Sequence, residues 1–254
     1  MPLVRPSPLS GWTVLSLRPR GQHASLRHAA ARRGARTLAL SVLTIQPHGD
    51  AATRRALAAA LKADICLFSS PNAVRAAHAL QSLLARHGRA CLAVGTGTRQ
   101  ALQRLGIASQ APKRMDSEGL LALPVLADLR GRTLGLVSGQ DGRGMLASAL
   151  RARGATVLRA DVYARKPVVL GKARITTLDA ALRRPRNVLL VLSSAETLSG
   201  LLAQIEVSRL RDVAVVAASP RLAQHAREAG FTRLATAASA RPSAMLRAAT
   251  DAFA

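Results

Sequence analysis

Two serine pairs in this chain stand where they could do chemistry. In "ICLFSSPNAV", Ile65 to Val74, and in "LLVLSSAETL", Leu189 to Leu198, an apolar run ends on two serines and turns into a helical pattern. A serine at such a junction can cap the helix by accepting a hydrogen bond from its first turn. It can also hold an anion against the free amides of that turn. Taken singly, capping is the commoner role; the same pair at the same place twice favours a ligand gripped by two matched units. Other catalytic signatures are missing, with no paired carboxylates at helical spacing, no His and Glu metal motif, no GxSxG elbow and no P-loop. The histidines His23, His28, His48, His78, His87 and His225 lack ligand spacing and read as surface residues, so no metal is expected. Cys66 and Cys91 lie in apolar runs and read as small buried thiols.

The elements that must position these residues are written twice. "TVLSLRPRGQHASLRHAAARRGARTLALSVLTIQP" from Thr13 aligns without a gap over "TLGLVSGQDGRGMLASALRARGATVLRADVYARKP" from Thr133, an offset of 120 (133 minus 13). Each copy reads strand, turn, helix, Gly-Ala, strand, with Gly34 or Gly154 just past the helix end, where glycine tolerates a left-handed backbone. The second halves match at an offset of 124 (194 minus 70), placing Ser70 over Ser194, Gly95 over Ser219 and Gly106 over Gly230. Alternating strands and helices predict parallel sheets covered on both faces, hence an α/β protein of two pseudo-symmetric domains. In such sheets ligands bind outside the carboxyl ends of the strands.

Composition narrows the partners. The 254 residues carry 37 Lys and Arg against 13 Asp and Glu, a formal charge of +24, which implies polyanionic company or a compositional bias toward arginine. Only Lys62, Lys113, Lys166 and Lys172 are lysine, and arginine suits bidentate contacts to carboxylate or phosphate. Nucleic acid is disfavoured, because aromatic residues make up 2% of the chain and no stacking platform or known docking motif is present. With no long apolar stretch and no secretory block, a soluble cytoplasmic protein is expected.

Several short patterns, in order, resemble the uroporphyrinogen-III synthase family over about residues 12 to 253. They are "LRP" at Leu17, "LFSSPNAV" at Leu67, "AVGTGT" at Ala93, "DSEGLL" at Asp116, "GRTLGLVSGQDGRGML" at Gly131, "GATVLRADVYARKP" at Gly154 and "VLSSAETL" at Val191. The resemblance implies two α/β domains joined by a two-stranded linker, with the substrate in a cleft between them. Domain 1 would be residues 1–40 plus 168–254, domain 2 residues 48–160, and the linker strands 41–47 and 161–167. It further implies a monomer that needs neither metal nor cofactor, and a reaction that closes the linear tetrapyrrole hydroxymethylbilane to uroporphyrinogen III with ring D inverted and water lost. Eight carboxylates on that substrate would account for a basic protein. The alternative is a non-catalytic two-domain binder of a polyanion or of nucleic acid.

The same resemblance assigns roles. Tyr163, the only tyrosine, matches the family's linker tyrosine, proposed to assist loss of the hydroxyl; a phenol is protonated at neutral pH and can donate to a leaving oxygen. By itself, Tyr163 reads as a half-buried strand aromatic. Ser70, Thr98 and Ser194 match substrate-facing hydroxyls, and the amides at Asn72, Ala73 and Ala195 could bind carboxylates. Gly139 and Arg143 belong to the glycine-rich turn, and Arg18 ends the first strand. Ser219 is a further binding candidate, although relatives often carry a Thr in that loop. The first repeat also lacks a proline common before the linker.

Overall fold

The computed structural model describes residues 7–83, 90–114, 117–140 and 144–254. The strands are β1 (Thr13–Ser16), β2 (Arg36–Ala39), β3 (Leu43–Pro47), β4 (Ile65–Phe68), β5 (Ala90–Ala93), β6 (Thr133–Gly139), β7 (Thr156–Pro167), β8 (Val188–Leu192), β9 (Ala214–Ala217) and β10 (Leu234–Thr236). The helices are α1 (Ala24–Ala31), α2 (Ala51–Lys62), α3 (Pro71–Leu80), α4 (Thr96–Gln103), α5 (Ser117–Leu121), α6 (Gly144–Ala152), α7 (Lys172–Leu182), α8 (Ala195–Leu202), α9 (Pro220–Glu228) and α10 (Pro242–Phe253). The chain divides into two compact units: unit 1, Met1–Thr44 with Lys166–Ala254, and unit 2, Ile45–Arg165.

Each unit holds a five-stranded sheet. In unit 1 the order is β10-β9-β8-β1-β2, with every pair parallel. The second sheet runs β3-β7-β6-β4-β5, and its β7-β6, β6-β4 and β4-β5 pairs are parallel. The repeat now acquires a topology: β9-β8-β1-β2 in one sheet corresponds strand for strand to β5-β4-β6-β7 in the other. Each sheet therefore joins the first half of one repeat to the second half of the other.

A parallel sheet covered on both faces needs strands that are apolar on both sides, which is why these runs do not alternate with polar residues. Along β4, Cys66 and Phe68 face one core with Val74 and Val137, while Ile65 and Leu67 face another with Leu92 and Leu134. In unit 1, Leu15, Leu190 and Val215 pack on one side, and Val14, Leu189 and Val216 on the other. Gly34 and Gly154 end α1 and α6 with φ of +80° and +91°, a conformation that side chains rarely adopt. Cys66 and Cys91 stand opposite one another on β4 and β5 and are not joined in a disulfide, and burial pushes the Cys91 thiol up to about 11. Among the described residues no helix is long and apolar enough to cross a membrane.

Candidate functional site

In unit 2 the residues with chemical potential gather where β4 and β6 end, beside the middle of β7. Tyr163 lies on β7, paired with Gly139 of β6 at an irregularity of register between Ser138 and Gly139. The phenol sits directly over Gly139: a Cβ there would come within 2.6 Å of the ring Cζ and 3.0 Å of the hydroxyl oxygen. Only hydrogen at that position leaves room for the ring. Tyr163 is 2% exposed, and its hydroxyl lies 3.1 Å from Ser70 Oγ. Ser70 caps α3, accepting the Ala73 N–H at 3.0 Å, and Pro71 opens the helix with a preset φ. One serine oxygen thus connects the phenol to a helix N-terminus.

The geometry is held from behind. The Gln140 N–H donates to the Tyr163 carbonyl at 2.8 Å, and Arg159 Nη2 donates to the Gln140 carbonyl at 3.0 Å. Asp161 ties this together, accepting from Arg159 Nε and from Ser138 Oγ, both at 2.8 Å. In front, the Arg165 guanidinium lies 6.0 Å from the centre of the Tyr163 ring, within reach of its electron-rich face. Arg75, on α3, donates to Asn72 Oδ1. Its guanidinium pKa is lowered by burial first and by the charge of Arg104 second, with Tyr163 acting in the opposite direction. The first turn of α3 contains no acidic residue, so this end of unit 2 favours anions.

The structure places the remaining residues as follows. Thr98 lies in the first turn of α4 and is 3% exposed; the adjacent Gly97 packs against the Pro71 ring, so the two helix starts are neighbours. The Ala73 amide is taken by Ser70 and is not free for a carboxylate, a change from the sequence expectation. Arg143 lies outside the described residues.

In unit 1, Arg18, Ser194 and Ser219 follow β1, β8 and β9, three neighbouring parallel strands. Ser219 caps α9 by accepting the Leu222 N–H at 3.4 Å. Ser194 makes no such bond with its side chain; instead Thr197 Oγ1 donates to the Ser194 carbonyl at 2.9 Å. Ala195 opens α8, where Glu196 in the first turn already supplies the negative charge that a helix start attracts. Arg18 Nη2 reaches the Ala240 carbonyl at 3.4 Å while its buried Nε has no partner, and burial lowers its pKa.

Sequence reasoning did not single out Arg75, Arg165 or the Asp161 cluster. One signal was available: Tyr163 and Arg165, two apart on a strand, must share a face. His23 requires correction. Instead of lying on the surface it is 7% exposed, with Nδ1 2.8 Å from Ser16 Oγ and Nε2 2.8 Å from Ser41 Oγ. Its pKa is lowered by burial and then by the charges of Arg27, Arg18 and Arg174. The unfolded chain therefore takes up this proton at a higher pH than the folded one, and stability falls as pH drops below the ordinary value of 6.5 toward the depressed folded value. His23→Gln is expected to flatten that acid limb, read as urea midpoints between pH 7 and pH 5; an unchanged slope would remove His23 as its source. Among the described residues, no group of three or more His, Cys, Asp or Glu could hold a metal ion.

Comparison with known proteins agrees with this architecture. Uroporphyrinogen III synthase from the extreme thermophile Thermus thermophilus, in a triple-mutant crystal structure, superposes with a TM-score of 0.61 at 24% identity, covering 95% of this chain and 98% of that one. The synthetase from Helicobacter pylori 26695 superposes at 0.62 with 15% identity, covering 94% and 98%. At these identities the likeness speaks for the fold. The family model described as "Uroporphyrinogen-III synthase HemD" matches residues 24–247, most of the chain, and on that match the chain belongs to the uroporphyrinogen-III synthase family.

Proposed function

We propose that this chain closes hydroxymethylbilane to uroporphyrinogen III, with Tyr163 assisting departure of the terminal hydroxyl. Family membership supports the reaction. The observation that carries the chemistry is the Tyr163 hydroxyl placed 3.1 Å from Ser70 Oγ at the start of α3. In the proposed reaction the carbon–oxygen bond breaks with its electron pair on oxygen, the Tyr163 phenol passes its proton to that oxygen so that it leaves as water, and the pyrrole nitrogen lone pair stabilises the azafulvene cation. Ring D then attacks through its substituted carbon to give a spiro intermediate. Fragmentation and reclosure through the free α-carbon invert the ring, and the proton that this carbon loses as the pyrrole is restored returns to the Tyr163 oxygen.

The protein's task is mostly geometric, because the bilane closes unaided to the uninverted isomer and the enzyme must favour one attack over another. A phenol suits the first step, since its hydroxyl can pass a proton to the leaving oxygen and take one back at ring closure. Ser70 holds the phenol oxygen in place and gives way to, or relays to, the leaving hydroxyl. The cationic flank of Arg75, the Asn72 amide and the α3 N-terminus would hold substrate carboxylates, and the Ser194 hydroxyl, which caps no helix, remains a binding candidate with Ala195. Thr98, Ser219, Arg18 and Gly139 remain binding candidates on the same reading.

The purified chain given hydroxymethylbilane, without added metal or cofactor, is expected to yield the type III isomer. Only type I product, at the rate of the buffer control, would overturn the proposal. In that event, duplex DNA binding that weakens steeply with salt would favour the polyanion-binding alternative.

A further inference from the structure

Tyr163 lies on the side of its strand that a regular ladder would not give it. Along β7, Val157 packs against the core that holds Leu134 and Leu136, while Ala160 and Val162 belong to the core on the other face of the sheet, with Val74 and Val137. Side chains alternate along a strand, so Tyr163, six places after Val157, should share the face of Val157. It lies instead in the same core as Val162. The register explains the switch: Ser138 pairs with Asp161, and the next residue, Gly139, pairs with Tyr163, so Val162 is one residue too many. Such a bulge re-aims a side chain. Here it turns the phenol toward Gly139 and Ser70.

A bulge disrupts the ladder locally, and a slip of one residue back into register sends each side chain to the opposite face. Around this bulge the backbone carbonyls are taken up on both sides. The Gln140 N–H donates to the Tyr163 carbonyl at 2.8 Å, the His48 N–H donates to the Val162 carbonyl at 3.0 Å, and His48 Nδ1 lies 3.0 Å from the Asp161 carbonyl. One side chain spans the step itself. Asp161 Oδ1 accepts from Ser138 Oγ on β6 and from Arg159 Nε on β7, both at 2.8 Å, and Arg159 Nη2 continues to the Gln140 carbonyl at 3.0 Å. We infer that Asp161 is a positioning residue: its carboxylate staples β7 to β6 at the extra residue and so keeps the Tyr163 hydroxyl on Ser70. It acts on the reaction only through the phenol, so its effect on rate rests on the role proposed above for Tyr163, while the staple rests on geometry alone.

The test uses the full chain with ring-¹³C-labelled tyrosine, in which Tyr163 is the only tyrosine and therefore the only reporter. The Gly139 Hα that a side chain would replace points at that ring, so a nuclear Overhauser contact between the two reads the placement directly. In Asp161→Ala the ring signals are expected to move and the Gly139 contact to weaken, with kcat for type III product falling about tenfold or more and KM staying within about twofold. Asp161→Asn keeps the one oxygen that both donors use and should restore the ring signals and most of the rate. Ser138→Ala removes one arm of the staple with little change of volume and should move the same signals in the same direction by less. As a control, Asp64→Ala removes the acceptor for the Thr133 N–H and hydroxyl, both at 2.8 Å, at the far end of β6, and should leave the ring signals and kcat as they were. Ring signals unchanged in Asp161→Ala and Ser138→Ala overturn the inference, as does an equal displacement in Asp64→Ala. A fall in kcat with the ring undisturbed makes Asp161 a contact in its own right and overturns it too. A displaced ring beside a fully active Tyr163→Phe leaves the staple standing and removes the phenol from the reaction.

Discussion

Tyr163→Phe is expected to lower kcat for type III product on the order of 10²-fold, the scale of losing a positioned proton donor, with little change in KM. The substitution keeps the ring, which packs over Gly139 and beneath Arg165, and removes only the oxygen that meets Ser70. Loss of that hydrogen bond costs about 1 kcal/mol of stability, too little to unfold a domain and far less than the kinetic effect. Urea unfolding and initial rates on one preparation therefore separate the two. The type I isomer formed spontaneously in solution should become a larger share of product as turnover slows. Activity within about twofold of wild type would remove Tyr163 from the reaction without touching the family assignment.

Gly139→Ala should be comparably damaging, through position instead of chemistry. The new methyl would lie 2.6 Å from Tyr163 Cζ and 2.8 Å from Cε2, and a phenol that is 2% exposed has little space to retreat. The ring must tilt away from Ser70, or β6 and β7 must part at their irregular step between Ser138 and Gly139. Overpacking of this kind costs about 1–3 kcal/mol. The decisive measurement is a double-mutant cycle. If Gly139 acts by placing the phenol, Gly139→Ala in a Tyr163→Phe background should reduce kcat little further. Fully additive losses would instead make Gly139 an independent contact or a plain structural glycine.

How much of this site was legible in the residues depends on the distance over which each feature is determined. The Ser70 cap is a local matter: a serine before Pro71, with a helix following, has the Ala73 N–H within reach whatever else the chain does. Its echo at Ser194 looks the same in the alignment but behaves differently: its side chain accepts no cap bond, while the Thr197 hydroxyl donates to its carbonyl. The buried His23 was misread for the opposite reason. Nothing near it in sequence marks it as interior; its partners Ser16 and Ser41 come from β1 and from the segment after β2, brought together only when those strands pair. Arg159, Asp161 and Ser138 likewise look like ordinary polar residues until the register of β6 against β7 sets them side by side.

The amino-acid sequence alone determined the α/β class, the duplication, the apolar strands, the glycine helix ends at Gly34 and Gly154, and the serines at the strand ends. All of these follow from periodicity and backbone preference over a few residues. Tertiary structure decided the company those pieces keep. Thr13 pairs with Val188, and Ile65 with Leu134, so each sheet is built from halves of different repeats. That choice rests on burying both faces of each sheet at once, an energy summed over residues far apart in the chain, which no local pattern encodes. The same long-range pairing lays the Tyr163 phenol over Gly139 and against Ser70, and turns a lone aromatic into a candidate for chemistry.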